Sequence, residues 1–188
     1  MAESWISNSF EEQFPNPVLC SKASTKIKGL EVRFVFDKSV EGEDPIRPSG
    51  WIVTEKGDKF PLDGRGVREA LKRIAFTPQS AEDAIEAAIL PYYYDSYHYA
   101  NHYKVVMDMP FEARGVPPDI AALVRPPSAV KTGQDYTVTF YVCQYTPAIY
   151  PSYKLDFDAL RRHTLQVGKD LYEGNSKTLW GRPGLGEN

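Results

Sequence analysis

The stretch that decides the fold class is Tyr136-Thr137-Val138-Thr139-Phe140-Tyr141-Val142-Cys143-Gln144-Tyr145-Thr146. Successive side chains of a β-strand point to opposite faces, so Val138, Phe140 and Val142 are expected to share one face. β-Branched and aromatic residues, which are enriched in strands, occupy both sets of alternating positions. The stretch therefore predicts a strand of a sheet.

Strand patterns recur in three other segments, residues 29–37, 50–62 and 99–112. Segment 50–62 is typical of a hairpin, because a short loop containing glycine separates two apolar runs. Its second arm contains Pro61, which lacks a ladder donor and predicts an edge strand. In segment 99–112 the odd-numbered residues from Tyr103 onward predict one apolar face, and residues 135–146 are its expected partner.

Two segments between these strands predict helices, residues 65–76 and 81–90. Asp63 can cap the first helix, and Ser80 with Asp83 three residues later forms a start like a capping box for the second. Pro91 is expected to end the second helix, because proline lacks the N–H that a helix interior needs. The chain therefore predicts an α+β fold, a mostly antiparallel sheet with two helices packed on one face, in a single domain.

The predicted organisation is an N-terminal arm at residues 1–26, the α+β domain at 27–172 and a C-terminal tail at 173–188. Before the tail, apolar residues that step by three and four from Phe157 predict a helix from about Asp156, and a strand at 164–167 is the alternative. A Pro-rich connector at 113–134 contains one predicted helical turn, residues 119–124.

Composition and charge narrow the classes of function. The 188 residues are 25% charged and 42% apolar, which is typical of a globular protein with its own core. A net charge of −3 and a pI near 5.7 argue against a general nucleic-acid binder, which would carry a basic face. No apolar run approaches the roughly 20 residues of a membrane-spanning helix, so we expect a soluble protein.

The first residues of the chain lack the basic and apolar regions of a secretory signal. As written, the sequence therefore predicts a cytoplasmic protein, and an extracytoplasmic one if a signal peptide has been removed. The two cysteines, Cys20 and Cys143, match no metal-binding spacing. They are either the partners of one long-range disulfide or two separate buried thiols.

The most unusual composition lies in residues 91–103, which hold six of the twelve tyrosines and two of the three histidines. Here Asp95, His98 and His102 are candidate ligands of zinc or iron, because helical spacings of three and four place them on one face. On a strand, His98 and His102 still share a face but Asp95 does not. If the strand at Tyr103 extends backwards, the histidines lie on its polar face, which favours solvated roles.

Tyrosine combines a large apolar ring with a polar tip, so a cluster of tyrosines favours a contact surface. The leading hypothesis is a non-enzymatic binding or protein-interaction module that presents an aromatic surface and uses no cofactor. Its expected partner is another protein or a second copy of the chain, and a small ligand is compatible with it. The predicted contact residues are Tyr93, Tyr97, Tyr99, Tyr141, Tyr145 and Trp51.

Two alternatives remain open. One is a small metal-dependent or histidine-based hydrolase that uses His98 and His102 with Asp95 or His163. The other is a structural subunit of a larger assembly. Metal bound to the purified protein would favour the hydrolase, and instability of the isolated chain would favour the structural subunit.

Overall fold

The fold is α+β in a computed structural model of the chain, and the paired strands run antiparallel, as predicted. The described residues are 3–7, 18–37, 49–98, 102–107, 109, 116–147, 155–168 and 173–181. They belong to two compact units, residues 1–75 and 76–188, and each unit has its own sheet. The expectation that all strands share one sheet is therefore corrected to two sheets.

The first unit is a five-stranded sheet with one helix. Its elements are β1 (Glu3–Ser7), β2 (Val18–Ser24), β3 (Leu30–Asp37), β4 (Ser49–Thr54), β5 (Lys59–Pro61) and α1 (Gly64–Arg73), and its strands are adjacent in chain order. β3 and the β4–β5 hairpin confirm two predicted segments, and Pro61 does lie in an edge strand. Residues predicted as an arm form β1 and β2, because β1 pairs with β2 and β2 pairs with β3, which satisfies their backbone groups.

Helix α1 packs on β4 and β5. The Asp63 carboxylate caps it by accepting a hydrogen bond from the Gly66 amide at 2.6 Å, as the sequence predicted. Val67 and Leu71 on the helix are fully buried. Gly66 lies so close to β5 that an added Cβ would overlap the carbonyl oxygen of Pro61. The close approach of helix and strand therefore depends on a glycine at this position.

The second unit is a sheet with a long helix on one face. Its elements are α2 (Ala81–His98), β6 (His102–Val105), α3 (Pro118–Ala121), β7 (Ser128–Thr132), β8 (Asp135–Pro147), β9 (Leu155–Val167) and β10 (Glu173–Gly181). The strand order is β10-β9-β8-β6, and β7 also pairs with β8. β6 and β8 confirm the predicted pairing, although β6 ends at Val105. No helix in the described ranges has both the length and the apolar character to cross a bilayer.

Strand β8 is buried on both faces. Val138 and Phe140 are fully buried on the face that α2 covers, which confirms the predicted apolar face. On the opposite face lies an apolar cluster formed by Val106, Val116, Val124, Tyr141, Cys143 and Leu160. Residues of α3 and β10 pack against this apolar cluster. Cys143 forms no disulfide.

Helix α2 continues through Pro91 to His98, so the prediction that Pro91 ends it is wrong. The helix buries a continuous side that includes Ala84, Ala88, Leu90 and Pro91 itself. Burial of this side offsets the roughly 3 kcal/mol that an interior proline costs a helix. The two helices also lie on different sheets, since α1 packs on the first sheet and α2 on the second.

The C-terminal part is strand where a helix and a tail were predicted. β9 begins at Leu155, and it contains the alternative strand at 164–167. The helical spacing from Phe157 was overridden because β9 pairs with β8 along almost its whole length. β10 occupies the first part of the predicted tail, and ladder hydrogen bonds to β9 order it despite its few apolar residues.

Replacing Gly66 with alanine is expected to destabilise the first unit by about 3 kcal/mol, because the methyl group must push α1 away from the β5 backbone. Arg65→Ala is the matched control, since Arg65 is exposed in the same helical turn. Urea unfolding followed by circular dichroism measures both variants. Equal stability of the two would show that α1 tolerates displacement from β5.

Candidate functional site

The tyrosine–histidine segment is divided between two elements, since α2 ends at His98 and β6 begins at His102. Consecutive helical residues are about 100° apart, so three adjacent tyrosines point in three directions. Tyr92 is half-buried, Tyr93 is 53% exposed, and Tyr94 is buried at 6%. The segment therefore fixes α2 through two tyrosines and exposes the one between them.

Tyr92 ties α2 to the sheet through His163 on β9 and Phe140 on β8. Its hydroxyl lies 3.1 Å from Nδ1 of His163, and either neutral tautomer of the imidazole can make this hydrogen bond. The Tyr92 ring meets Phe140 edge-on at a centroid distance of 5.1 Å and His163 at 4.8 Å. Phe140 and His163 are opposite each other in the β8–β9 ladder and stack at 5.2 Å. We name these three residues the anchor cluster.

The imidazole of the anchor cluster is neutral at pH 7. Burial, together with the smaller effect of the nearby Arg161 charge, lowers the pKa of His163 from 6.5 to about 4. A neutral imidazole can either accept from the Tyr92 hydroxyl or donate to it, whereas the charged form can only donate. The contact between α2 and β9 is therefore a hydrogen bond between uncharged groups.

Arg161 lies two residues before His163, so both residues occupy the same face of β9. The Arg161 Nε is buried and has no hydrogen-bond partner in the described part of the chain. A phenol, an imidazole and a guanidinium are groups that can catalyse hydrolysis. However, His163 is 7% exposed and its ring is covered by Phe140, so the geometry favours an anchoring role for it.

The exposed side of α2 combines acidic and aromatic residues. Glu82 is exposed, Glu86 is half-buried, and Tyr93 follows two turns after Glu86. Tyr97 occupies the position four residues after Tyr93, on the same stripe of the helix, and its side chain lies outside the described residues. The Tyr93 ring contacts Tyr94 edge-on, at 5.2 Å and 89°. We name the positions of Glu82, Glu86, Tyr93 and Tyr97 the outer face of α2.

The structure places the other predicted contact residues in different elements. Tyr141 is 8% exposed inside the apolar cluster of the second unit, so burial removes it from the surface. Trp51 is half-buried in β4 of the first unit, and its buried Nε1 has no hydrogen-bond partner among the described residues. Tyr145 pairs with His102 in the β8–β6 ladder, but its side chain lies outside the described residues, as does all of Tyr99.

The candidate metal ligands Asp95, His98 and His102 are divided between α2 and β6. The prediction that all three residues lie on one helix is wrong, because α2 ends at His98. A backward extension of the strand through His98 is wrong as well, because that residue is helical. The three side chains lie outside the described residues, so metal binding by this set stays a hypothesis. Among the residues that the structure describes, no three His, Cys, Asp or Glu side chains are grouped as metal ligands.

Exposed apolar residues of the second unit were missed by the sequence patterns. Besides Tyr93, the large apolar side chains described as exposed are Met107 (48%), Met109 (43%), Leu123 (53%) and Val130 (67%). Alternation from Tyr103 predicted that both methionines are buried. They follow the end of β6, where the ladder no longer fixes which way a side chain points.

Acid is expected to destabilise the second unit through His163. Its folded pKa of about 4 lies below the ordinary 6.5, so between these pH values only the unfolded chain takes up the proton. The free energy of unfolding is therefore unaffected above pH 6.5 and decreases as the pH falls toward 4, by about 2 kcal/mol after allowance for solvent screening. Histidine NMR titration measures this pKa, and titration near 6.5 would contradict a buried neutral ring.

Two variants separate the effect of the Tyr92–His163 hydrogen bond on stability from the effect of protonating His163. Tyr92→Phe leaves the His163 Nδ1 without its phenol partner and is expected to cost about 1–2 kcal/mol at neutral pH. His163→Gln removes the titrating group, so its unfolding free energy should vary less with pH than that of the wild type. Urea unfolding at neutral pH and near pH 4 provides both comparisons.

Comparisons with known proteins assign no family to this arrangement. No protein-family model matches the chain, and neither the curated proteins nor the solved structures include a match. A function is therefore inferred from the chain's own side chains and their surroundings.

Proposed function

We propose that this chain is a non-enzymatic protein-binding module whose contact surface is the outer face of α2. The observation that carries the proposal is the 53% exposure of Tyr93 between two tyrosines that are held against the unit. Tyrosine is enriched among the residues that dominate binding energy at protein interfaces. A partner or a second copy of the chain would bury the Tyr93 ring.

The fixed backbone beneath Tyr93 supports this role. Tyr92 is held by a hydrogen bond and two ring contacts, and Tyr94 is buried, so the helix turn that presents Tyr93 is already ordered. A side chain on an ordered turn loses less conformational entropy on binding than one on a mobile segment. Tyr93 is therefore preorganised for contact.

The charge of the outer face of α2 indicates the chemistry of the partner. Glu82 and Glu86 place two carboxylates on the turns before Tyr93. Complementary potentials favour a partner with basic residues beside an apolar pocket, and they disfavour nucleic acid, whose phosphates would be repelled. Other exposed apolar residues of the second unit, Leu123 and Met107, add surface that a partner could cover.

Tyr93→Ala is expected to weaken partner binding or self-association at least about tenfold, because it removes a central aromatic contact worth more than about 1.4 kcal/mol. Val130→Ala is the matched control, since Val130 is an exposed apolar residue on β7. Light scattering over a range of concentrations measures self-association, and quantitative affinity capture measures partner binding. Both variants should unfold at the wild-type temperature.

Wild-type association by a folded Tyr93→Ala variant would overturn the proposed contact surface. Equal losses in Tyr93→Ala and Val130→Ala would assign the contact to the second unit in general and not to α2. The hydrolase hypothesis, with His98 and His102 as ligands, has a separate test. Elemental analysis of the purified protein and thermal shifts with zinc, manganese and iron decide whether a metal is bound.

A further inference from the structure

A cleft in the first unit is lined by residues of that unit alone, whereas the proposed contact surface belongs to the second unit. Its volume is about 350 Å³, near the lower end of the range for small-molecule sites. The cleft is lined by Gly29, Leu30, Glu31, Arg33, Val53, Thr54, Glu55 and Gly57. These residues come from β3, from β4 and from the turns that join β2 to β3 and β4 to β5.

Strand register gives the cleft an apolar floor and an open rim. Val53 lies opposite Glu31 in the β3–β4 ladder, and it is 5% exposed. Leu30 is also buried, but it is opposite Thr54 in the ladder and points to the other face of β3, so Val53 supplies the apolar part of the floor. At the rim, an added Cβ on Gly57 would meet no atom within 4 Å, so the tight turn leaves this side open. A small molecule can therefore reach the floor without displacing a side chain at Gly57.

One wall of the cleft carries a guanidinium with unused donors. Arg33 Nε donates to Glu31 Oε1 at 2.6 Å, and the two side chains are only 34% and 22% exposed. In the described part of the chain, no group accepts a hydrogen bond from the two terminal nitrogens of Arg33. A guanidinium presents its donors as a planar fork that matches a carboxylate. This wall therefore suits the carboxylate end of a ligand.

The third charged group of the lining, after Arg33 and Glu31, is the carboxylate of Glu55. Its Cδ lies 3.9 Å from where a Cβ on Gly29 would be, so the side chain lies back over Gly29. Its amide donates to the Gly29 carbonyl at 3.2 Å, which fixes the backbone beneath it. Among the described residues, no group donates to the Glu55 carboxylate or pairs with it. This carboxylate suits an ammonium group.

We propose that the cleft binds a small zwitterion, an α-amino acid with a short aliphatic side chain. Its carboxylate is held by the free nitrogens of Arg33, and its ammonium group by Glu55. Its side chain lies against Val53. The two unused nitrogens of Arg33, which is paired with Glu31 through Nε alone, the Glu55 carboxylate and an apolar floor match the three parts of such a ligand.

Three probes that share an isopropyl group separate the contributions of the ammonium group and the carboxylate to binding. L-Valine carries both charges, 3-methylbutanoate lacks the ammonium group, and isobutylamine lacks the carboxylate. Isothermal calorimetry on the full chain at neutral pH is expected to show L-valine binding at least about tenfold more tightly than either fragment, since each fragment loses one charged contact. Equal affinity of L-valine and 3-methylbutanoate, or no detectable binding of L-valine, would overturn the proposal.

Glu55→Gln tests the ammonium site without disturbing a buried pair, because Glu55 is exposed. The variant is expected to bind L-valine about tenfold more weakly than the wild type and 3-methylbutanoate equally well. Lys56→Gln is the matched control, since Lys56 is the next exposed residue of the same turn and does not line the cleft. An unchanged affinity of Glu55→Gln for L-valine would remove Glu55 from the site.

Arg33→Lys keeps the charge but loses the planar fork, so it is expected to weaken binding of both L-valine and 3-methylbutanoate. Equal binding of both probes by this variant and the wild type would remove Arg33 from the site. Tyr93→Ala should bind L-valine as the wild type does, because Tyr93 belongs to the other unit. The proposal of ligand binding in the cleft and the proposal of protein contact at α2 can therefore be contradicted independently.

Discussion

The second unit depends on strand β8, which pairs with three other strands and is buried on both faces. Its register against β9 places Phe140 opposite His163, directly beneath α2. A slip of one residue would exchange the two faces of β8 and bring Tyr141 to the position of Phe140. The ring stack and the partner of the Tyr92 hydroxyl would then be lost together. The anchor cluster is therefore a consequence of strand register as much as of its three side chains.

The anchoring of Tyr92 and the exposure of Tyr93 both follow from the orientation of α2. Helical geometry turns adjacent residues by about 100°, so the inward position of Tyr92 and the burial of Tyr94 leave Tyr93 directed to solvent. The sheet thereby decides which tyrosine is exposed for the proposed contact. A rotation of α2 would expose a tyrosine whose hydroxyl and ring now stabilise the unit. The proposed contact surface and the core are thus fixed by one helix orientation.

Local patterns predicted the elements that local geometry controls. Alternation identified β3 and β8, and the hydrogen bonds that cap the helices at Asp63 and Ser80 form as expected. Pairing between distant segments decided the rest, since β9 is a strand through its ladder with β8 and α2 passes Pro91 by burying one side. The anchor cluster could not be predicted, because 71 positions separate Tyr92 from His163 and no local pattern relates them. Composition led to the prediction of a contact site in the tyrosine segment, but only the packing of α2 distinguishes Tyr93 from its neighbours.

The choice of histidine at position 163 follows from two requirements that no aliphatic residue meets. The side chain must stack on Phe140, which needs a flat ring, and it must bond to the Tyr92 hydroxyl, which needs a polar atom in that ring. Phenylalanine would satisfy the stack and leave the phenol without its partner, whereas glutamine would satisfy the phenol and lose the stack. A charged imidazole would face Arg161 in a buried site, so only the neutral form fits, and burial supplies it by lowering the pKa. The same burial that makes the ring neutral closes it to substrate, and this is why the geometry supports an anchor for a contact helix more than a catalytic base.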